Sequence, residues 1–112
     1  MGDRIASSVL ASALLKMAGS EGGFGAVLAK GDADSGAILV VLAERGRRVQ
    51  IVERLLQPNG DYVWSNTTPG GGNADGFDKF LERRRRFDPD MWILELDTAS
   101  AERFAAEMSA LD

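Results

Sequence analysis

Two short stretches hold most of the side chains on which chemistry could be built. One is Lys30-Gly31-Asp32-Ala33-Asp34-Ser35-Gly36; the other is Arg86-Phe87-Asp88-Pro89-Asp90-Met91-Trp92. Each sets a basic residue just ahead of an Asp-x-Asp. Paired carboxylates can act as general acid and base, or hold a divalent cation such as Mg²⁺ or Mn²⁺ through oxygen ligands. The first stretch matches a calcium loop only at its start: Gly36 stands where the third acid is needed, and Ala43 stands at the twelfth position in place of Glu. Backbone needs explain the same residues. Aspartate makes local side-chain turns and glycine accepts positive φ. In the second stretch, the residue before a proline is pushed out of helical geometry, and Asp90 can open a strand through an Asx turn.

The rest of the composition narrows the field. The chain has no histidine and no cysteine. That excludes Ser-His-Asp and Cys-His nucleophilic machinery, imidazole acid/base work and thiolate or imidazole zinc sites. No phosphate-binding loop of the Gly-x-x-x-x-Gly-Lys-Ser/Thr type occurs, and glycines 19, 22, 23 and 25 do not fit the dinucleotide spacing. No cofactor is implied. The net charge of −4 opposes binding to phosphate backbones and anionic membranes. Arg83 to Arg86 step by about 100° each around a helix, so they cannot form one basic face. Arg84 falls on the apolar stripe of that helix, where it must snorkel or find a partner. Tyr62, Trp64 and Trp92 are core or sheet aromatics by default; exposed together they would mark an interface. Ile5 to Ala18 is broken by Lys16 and three serines and is no signal peptide. No run is apolar enough to span a membrane. Together with the absence of disulfides, this places the protein in the cytoplasm.

The elements that must position the two turns follow from periodicity. A chain of 112 residues, 45% hydrophobic and 27% charged, suits a single domain over 1–112. From Asp3 to Ala18, Ala6, Leu10, Ala13, Leu14 and Met17 recur at helical steps, with Ile5 and Val9 beside them; Asp3 is the expected cap and Gly19 the stop. Phe24 to Lys30 reads as a first strand. Ala37 to Ala43 is apolar throughout, a strand covered on both faces. Val49 to Leu56 is a third strand, Pro58-Asn59-Gly60-Asp61 a hairpin turn, and Tyr62 to Ser65 the fourth strand. Residues 66–73, rich in glycine, read as a flexible loop. A second helix, capped by Asn73 or Asp75, buries Phe77, Phe80, Leu81 and Arg84 and ends at Pro89. Met91 to Leu96 is a fifth strand. A last helix, capped by Asp97 or Thr98, carries Ala101, Phe104, Ala105, Met108 and Leu111 on one face. The reading is α+β: a mainly antiparallel five-stranded sheet in the order α-β-β-β-β-α-β-α, helices mostly on one face, the first four strands in a meander and the fifth free to pair in parallel.

Lys30-Gly31-Asp32-Ala33-Asp34-Ser35-Gly36-Ala37-Ile38-Leu39-Val40 and Arg86-Phe87-Asp88-Pro89-Asp90-Met91-Trp92-Ile93-Leu94-Glu95 together resemble the family called domain of unknown function 1491, small bacterial proteins of about this length. The resemblance runs over nearly the whole chain, the N-terminal helix included; Gln57 to Asn73 is not matched. It implies one intact domain and transfers no catalytic residue, since the family has no established activity, substrate or partner. It rests on both turns at once. If they lie at the same sheet edge, Lys30, Asp32, Asp34, Arg86, Asp88 and Asp90 form a mixed-charge site. Opposite charges within reach pair, so a fold-locking ion-pair cluster is favoured over a shared cation.

The sequence therefore leads to a non-catalytic interaction or adaptor domain, binding an unidentified protein or a second copy through an exposed sheet edge or the aromatic residues. A metal-assisted hydrolase using Asp32, Asp34, Asp88 and Asp90 is the alternative. Nucleic-acid binding ranks third.

Overall fold

A computed structural model describes residues 5–70 and 74–111. The elements run α1 (Ser7–Ser20), β1 (Phe24–Ala29), β2 (Ile38–Glu44), β3 (Arg47–Leu56), β4 (Tyr62–Asn66), α2 (Ala74–Phe87), β5 (Trp92–Asp97) and α3 (Ala101–Met108), the last continued by a 3₁₀ turn over Ser109–Leu111. The element order matches the sequence reading. The expected caps Asp3 and Asn73 lie outside the described residues, and Asp75 falls inside α2.

The strands form one five-stranded sheet in the order β1-β5-β2-β3-β4. It is mixed. β5 runs parallel to β2, from Ile38 opposite Trp92 to Ala43 opposite Asp97, and every other pairing is antiparallel. The expected meander holds for β2-β3-β4 only, because β5 inserts between β1 and β2. Burial explains the insertion. Ile38 to Ala43 are all at most 1% exposed, and β5 buries Trp92, Leu94 and Leu96 on one side and Ile93 on the other. Two strands with apolar residues on both faces gain most by sitting side by side at the centre.

Helices cover both faces. α1 and α3 lie over Ile38, Val40, Leu42, Val52, Trp92, Leu94 and Leu96; their own contributions include Leu10, Leu14, Phe104 and Met108. α2 lies alone on the opposite face, where Phe77 and Leu81 meet Leu39, Val41, Ile51 and Ile93. Two ion-pair clips fasten α2 there. Arg84 meets Glu53 of β3 in a two-pronged contact, Nη1 to Oε1 at 2.9 Å and Nη2 to Oε2 at 2.5 Å. Arg48 of β3 joins Asp78 of α2 at 2.6 Å and Glu95 of β5 at 2.9 Å. The hydrogen bonds to Glu53 hold the Arg84 guanidinium above its ordinary pKa, as its place on the apolar stripe required.

Some local readings shift. α1 continues through Gly19 to Ser20 and is rotated from the expected face: Ser7, Leu10, Ala11, Leu14 and Ala18 are buried, whereas Val9 is 59% exposed. The buried Ser7 hydroxyl on this face donates to the Gly36 carbonyl at 2.6 Å. α3 is capped by Ser100, whose Oγ accepts the Arg103 N–H at 3.2 Å, and by Glu44, whose Oε2 accepts the Ala101 N–H at 2.7 Å. Asp97 instead accepts the Arg45 and Gly46 N–H groups at 2.9 and 2.6 Å. Both residues are left-handed, with φ of 52° and 81°, as a tight hairpin needs. Of the loop at 66–73, Thr67 and Thr68 are tied to Ile51 by hydrogen bonds of 2.8 and 2.9 Å, and 71–73 lie outside the described residues.

Candidate functional site

The two Asp-x-Asp turns meet. Both lie at the end of the sheet where β1 finishes and β2 and β5 begin, and the Asp32 N–H donates to the Asp90 carbonyl at 2.9 Å. Contact is so close that side chains are excluded. A Cβ placed on Gly31 or Gly36 would stand 2.1 or 2.3 Å from the Asp90 oxygen.

Asp32 organises the first turn. Its Oδ2 accepts from the Asp34 and Ser35 N–H groups at 3.1 and 2.9 Å and from the Ser35 hydroxyl at 3.2 Å. The Ser35 bonds, backbone first, and then the Asp34 N–H hold this carboxyl below its usual pKa. The Asp32 carbonyl accepts from the Trp92 indole at 2.7 Å, and Trp92 N–H reaches the Ala37 carbonyl at the same distance. The carbonyls of Ala33 and Asp34 take the Ser8 and Ser7 N–H groups at 2.9 and 3.2 Å, so this turn also closes the open end of α1. In the second turn, Asp88 Oδ1 accepts the Asp90 N–H at 3.2 Å, so the Asx turn leading into β5 is made by the side chain of Asp88 and not, as the sequence suggests, by that of Asp90.

The cations do not do what the mixed-charge reading expected. Among the described residues, neither Lys30 nor Arg86 forms an ion pair with any of the four aspartates; Arg86 pairs with Glu82 at 3.3 Å. The turns are locked through the backbone, and the cation that spans them is Arg85. Its guanidinium donates to the Met91 carbonyl at 3.4 Å and to the Lys30 carbonyl at 3.3 Å. The carboxylates do not converge either. Among the described residues, no three Asp or Glu side chains come together as a cation-holding set. Asp32 already spends Oδ2 on its own turn.

A cleft of about 270 Å³ flanks the first turn, walled by Asp34, Ser35 and Gly36 on one side and by Arg54, Leu56 and Tyr62 on the other. The Arg54 guanidinium stacks 3.8 Å from the Tyr62 ring centre. The aromatic residues do not form one exposed patch. Trp92 is only 5% exposed and belongs to the core, held there by its indole bond and its central strand. Trp64 packs half-buried against the same core, and its buried indole N–H finds no acceptor among the described residues.

The surface that stands out instead is β1. Among the described residues it is an edge strand, paired with β5 alone. Phe24 is 67% exposed and Val27 and Leu28 are each 44% exposed, although Phe24 to Ala29 contain no charged or polar side chain. The hydrophobic run alone could not identify this edge: a free edge strand and a buried one both read as continuous apolar residues.

The model of the family described as "Protein of unknown function (DUF1491)" matches residues 5–106. Solved structures are similar too, among them the following three. The NMR structure of a DUF1491 family protein from Caulobacter crescentus CB15 shares 28% identity, with a TM-score of 0.79 over 92% of this chain and 94% of that one. A crystal structure of a DUF1491 family protein from the same organism shares 26%, with a TM-score of 0.80 over 90% and 94%. The solution structure of protein Atu0922 from A. tumefaciens shares 30%, with a TM-score of 0.73 over 88% and 89%. No curated protein matches the chain.

Proposed function

The chain belongs to the DUF1491 family, and we propose that it is a non-catalytic interaction domain that docks its partner along the free edge of β1. The observation that carries this reading is an uncharged edge strand with Phe24, Val27 and Leu28 in solvent. An open edge offers a row of backbone donors and acceptors, and natural proteins usually guard such edges with charges or prolines. β1 has neither. A strand added there gains main-chain hydrogen bonds and contacts with alternate side chains. The chemistry of the paired turns supports the same view, since the Asp32 and Asp88 carboxylates serve the backbone of their own turns. No helix of the described residues is long and apolar enough to cross a membrane. We place the domain in the cytoplasm, on the strength of an acidic sequence without cysteine.

The test is capture from a bacterial extract with the tagged chain and with its Val27→Lys variant. A partner, further copies of the chain included, retained by the native chain and lost by the variant is the expected result. Equal retention by both would sink the reading.

A further inference from the structure

We propose that Glu21 and Glu107 form an acid-sensitive latch between α1 and α3. A proton carried by the Glu21 carboxyl bonds it to Glu107 and fastens the last turn of α3 to the end of α1. Loss of that proton leaves two carboxylates face to face and loosens the corner. The latch lies outside the β1 edge and works whether or not a partner docks there.

Three features of the corner lead to it. First, Glu107 Oε1 is buried and meets no hydrogen-bond donor among the described residues. Buried polar atoms in native folds have partners, so this oxygen calls for a proton or for a neighbour that brings one. The Glu21 carboxyl lies in hydrogen-bonding reach of Glu107. Ionised carboxylates only accept, so the two can bond only when one of them is protonated. Second, Glu21 is the C-cap of α1, and Glu107 lies in the last turn of α3. The carbonyl end of a helix favours cations and disfavours anions. Neither helix has a basic residue in its last turn. Third, the counter-charge is thin. Arg103, one turn before Glu107 on α3, is the cation that faces Glu21. Among the described residues it forms no ion pair with either carboxylate. The hydrogen bond to Glu107, then desolvation and the Glu107 charge, hold the Glu21 carboxyl above its ordinary pKa, and Arg103 draws it only partly back.

The two ends of α3 are therefore held differently. At its start, Ser100 Oγ accepts the Arg103 N–H at 3.2 Å and Glu44 Oε2 accepts the Ala101 N–H at 2.7 Å, bonds that need no added proton. At its finish the tie depends on one. Because the folded state binds that proton more readily than the unfolded chain, the stabilisation is complete below the unfolded glutamate pKa. It is lost as pH rises through the raised folded value. The sign is opposite to that of Asp32, whose carboxyl is held below its usual pKa.

The experiment is a pH titration of the full chain followed by carboxyl-carbon NMR, with thermal melts of the native chain, Glu21→Gln and Glu107→Gln. Asp90→Asn, at an exposed aspartate, controls for the loss of one negative charge. The Glu21 carboxyl is expected to titrate above the ordinary glutamate range and to fall back in Glu107→Gln. Glu21→Gln carries a permanent amide donor in place of the proton. It should melt above the native chain at pH 7, by more than Asp90→Asn does, with the gap closing towards about pH 4. Amide protection in the last turn of α3 should rise in acid for the native chain and stay level for Glu21→Gln. A Glu21 midpoint in the ordinary range, a midpoint unmoved by Glu107→Gln, or a gain in Glu21→Gln no larger than that in Asp90→Asn overturns the proposal. Should Glu107→Gln fail to fold, the Glu21 midpoint and the Glu21→Gln melts decide alone.

Discussion

The Trp92 indole donates to the Asp32 carbonyl at 2.7 Å across 60 residues of sequence. Through this bond the core of the sheet grips the first Asp-x-Asp turn, which in turn closes the N-terminal end of α1. Trp92→Phe keeps most of the ring and removes the donor. The expected cost is about 1–2 kcal/mol in urea denaturation, the worth of a buried hydrogen bond and its stranded partner. Trp64→Phe deletes the same atoms where the N–H has no acceptor among the described residues, and it should cost less. Equal losses would show that ring volume, and not the bond, sets the effect.

Gly36 and Gly19 predict opposite outcomes for one substitution. Gly36→Ala drives a methyl to 2.3 Å from the Asp90 oxygen and must push the two turns apart, while a Cβ on Gly19 meets nothing within 4 Å. Gly36→Ala should destabilise by more than about 2 kcal/mol, as overpacking against rigid backbone does. Gly19→Ala, inside α1, should stabilise by about 0.5–1 kcal/mol. Thermal melts of both variants against the native chain decide the point.

Asp32 makes stability depend on acid. Its carboxyl is held below the ordinary range by the Ser35 and Asp34 bonds, so the folded state binds the proton less readily than the unfolded one. The stabilisation is complete above the unfolded pKa and fades as pH falls through the depressed folded value. Asp32→Asn should therefore lower the melting temperature at neutral pH, with the gap to the native chain closing towards pH 2. A gap that is constant with pH would show that the Asx turn stands without the charge.

How much of this the sequence carried depended on whether a residue acts locally. Asp32, Asp88 and Gly36 announced turns because their chemistry is settled within a few residues, and both turns are where the spacing placed them. Ala37 to Ala43 announced a doubly covered strand because an unbroken apolar run has no wet face. The neighbour of that strand was not legible. Inserting β5 between β1 and β2 is decided by burial across the whole sheet, and no residue in β1 records it. The same limit hid the role of Asp97: an aspartate just before a helix reads as a cap, yet its carboxylate serves the Arg45-Gly46 hairpin more than fifty residues earlier in the chain. Lys30 and Arg86 looked like partners for the aspartates because opposite charges attract, but Arg85 took the bridging place through carbonyls that carry no sequence signature.

The Arg84–Glu53 clip offers the sharpest test of what holds α2 in place. The Glu53 side chain is 10% exposed and that of Arg84 29%, so the carboxylate is the more deeply committed partner. Arg84→Ala strands it against the α2 face, and a loss near 3 kcal/mol is expected, the low end for a broken buried pair. Removing both charges together should cost far less, because Glu53→Gln with Arg84→Met leaves no ion to desolvate. A coupling energy of about 2 kcal/mol from the full double-mutant cycle, read by urea denaturation, would assign the loss to the pair. Additive effects would instead assign the anchoring of α2 to Phe77 and Leu81 alone, with the charges no more than tolerated at its margin.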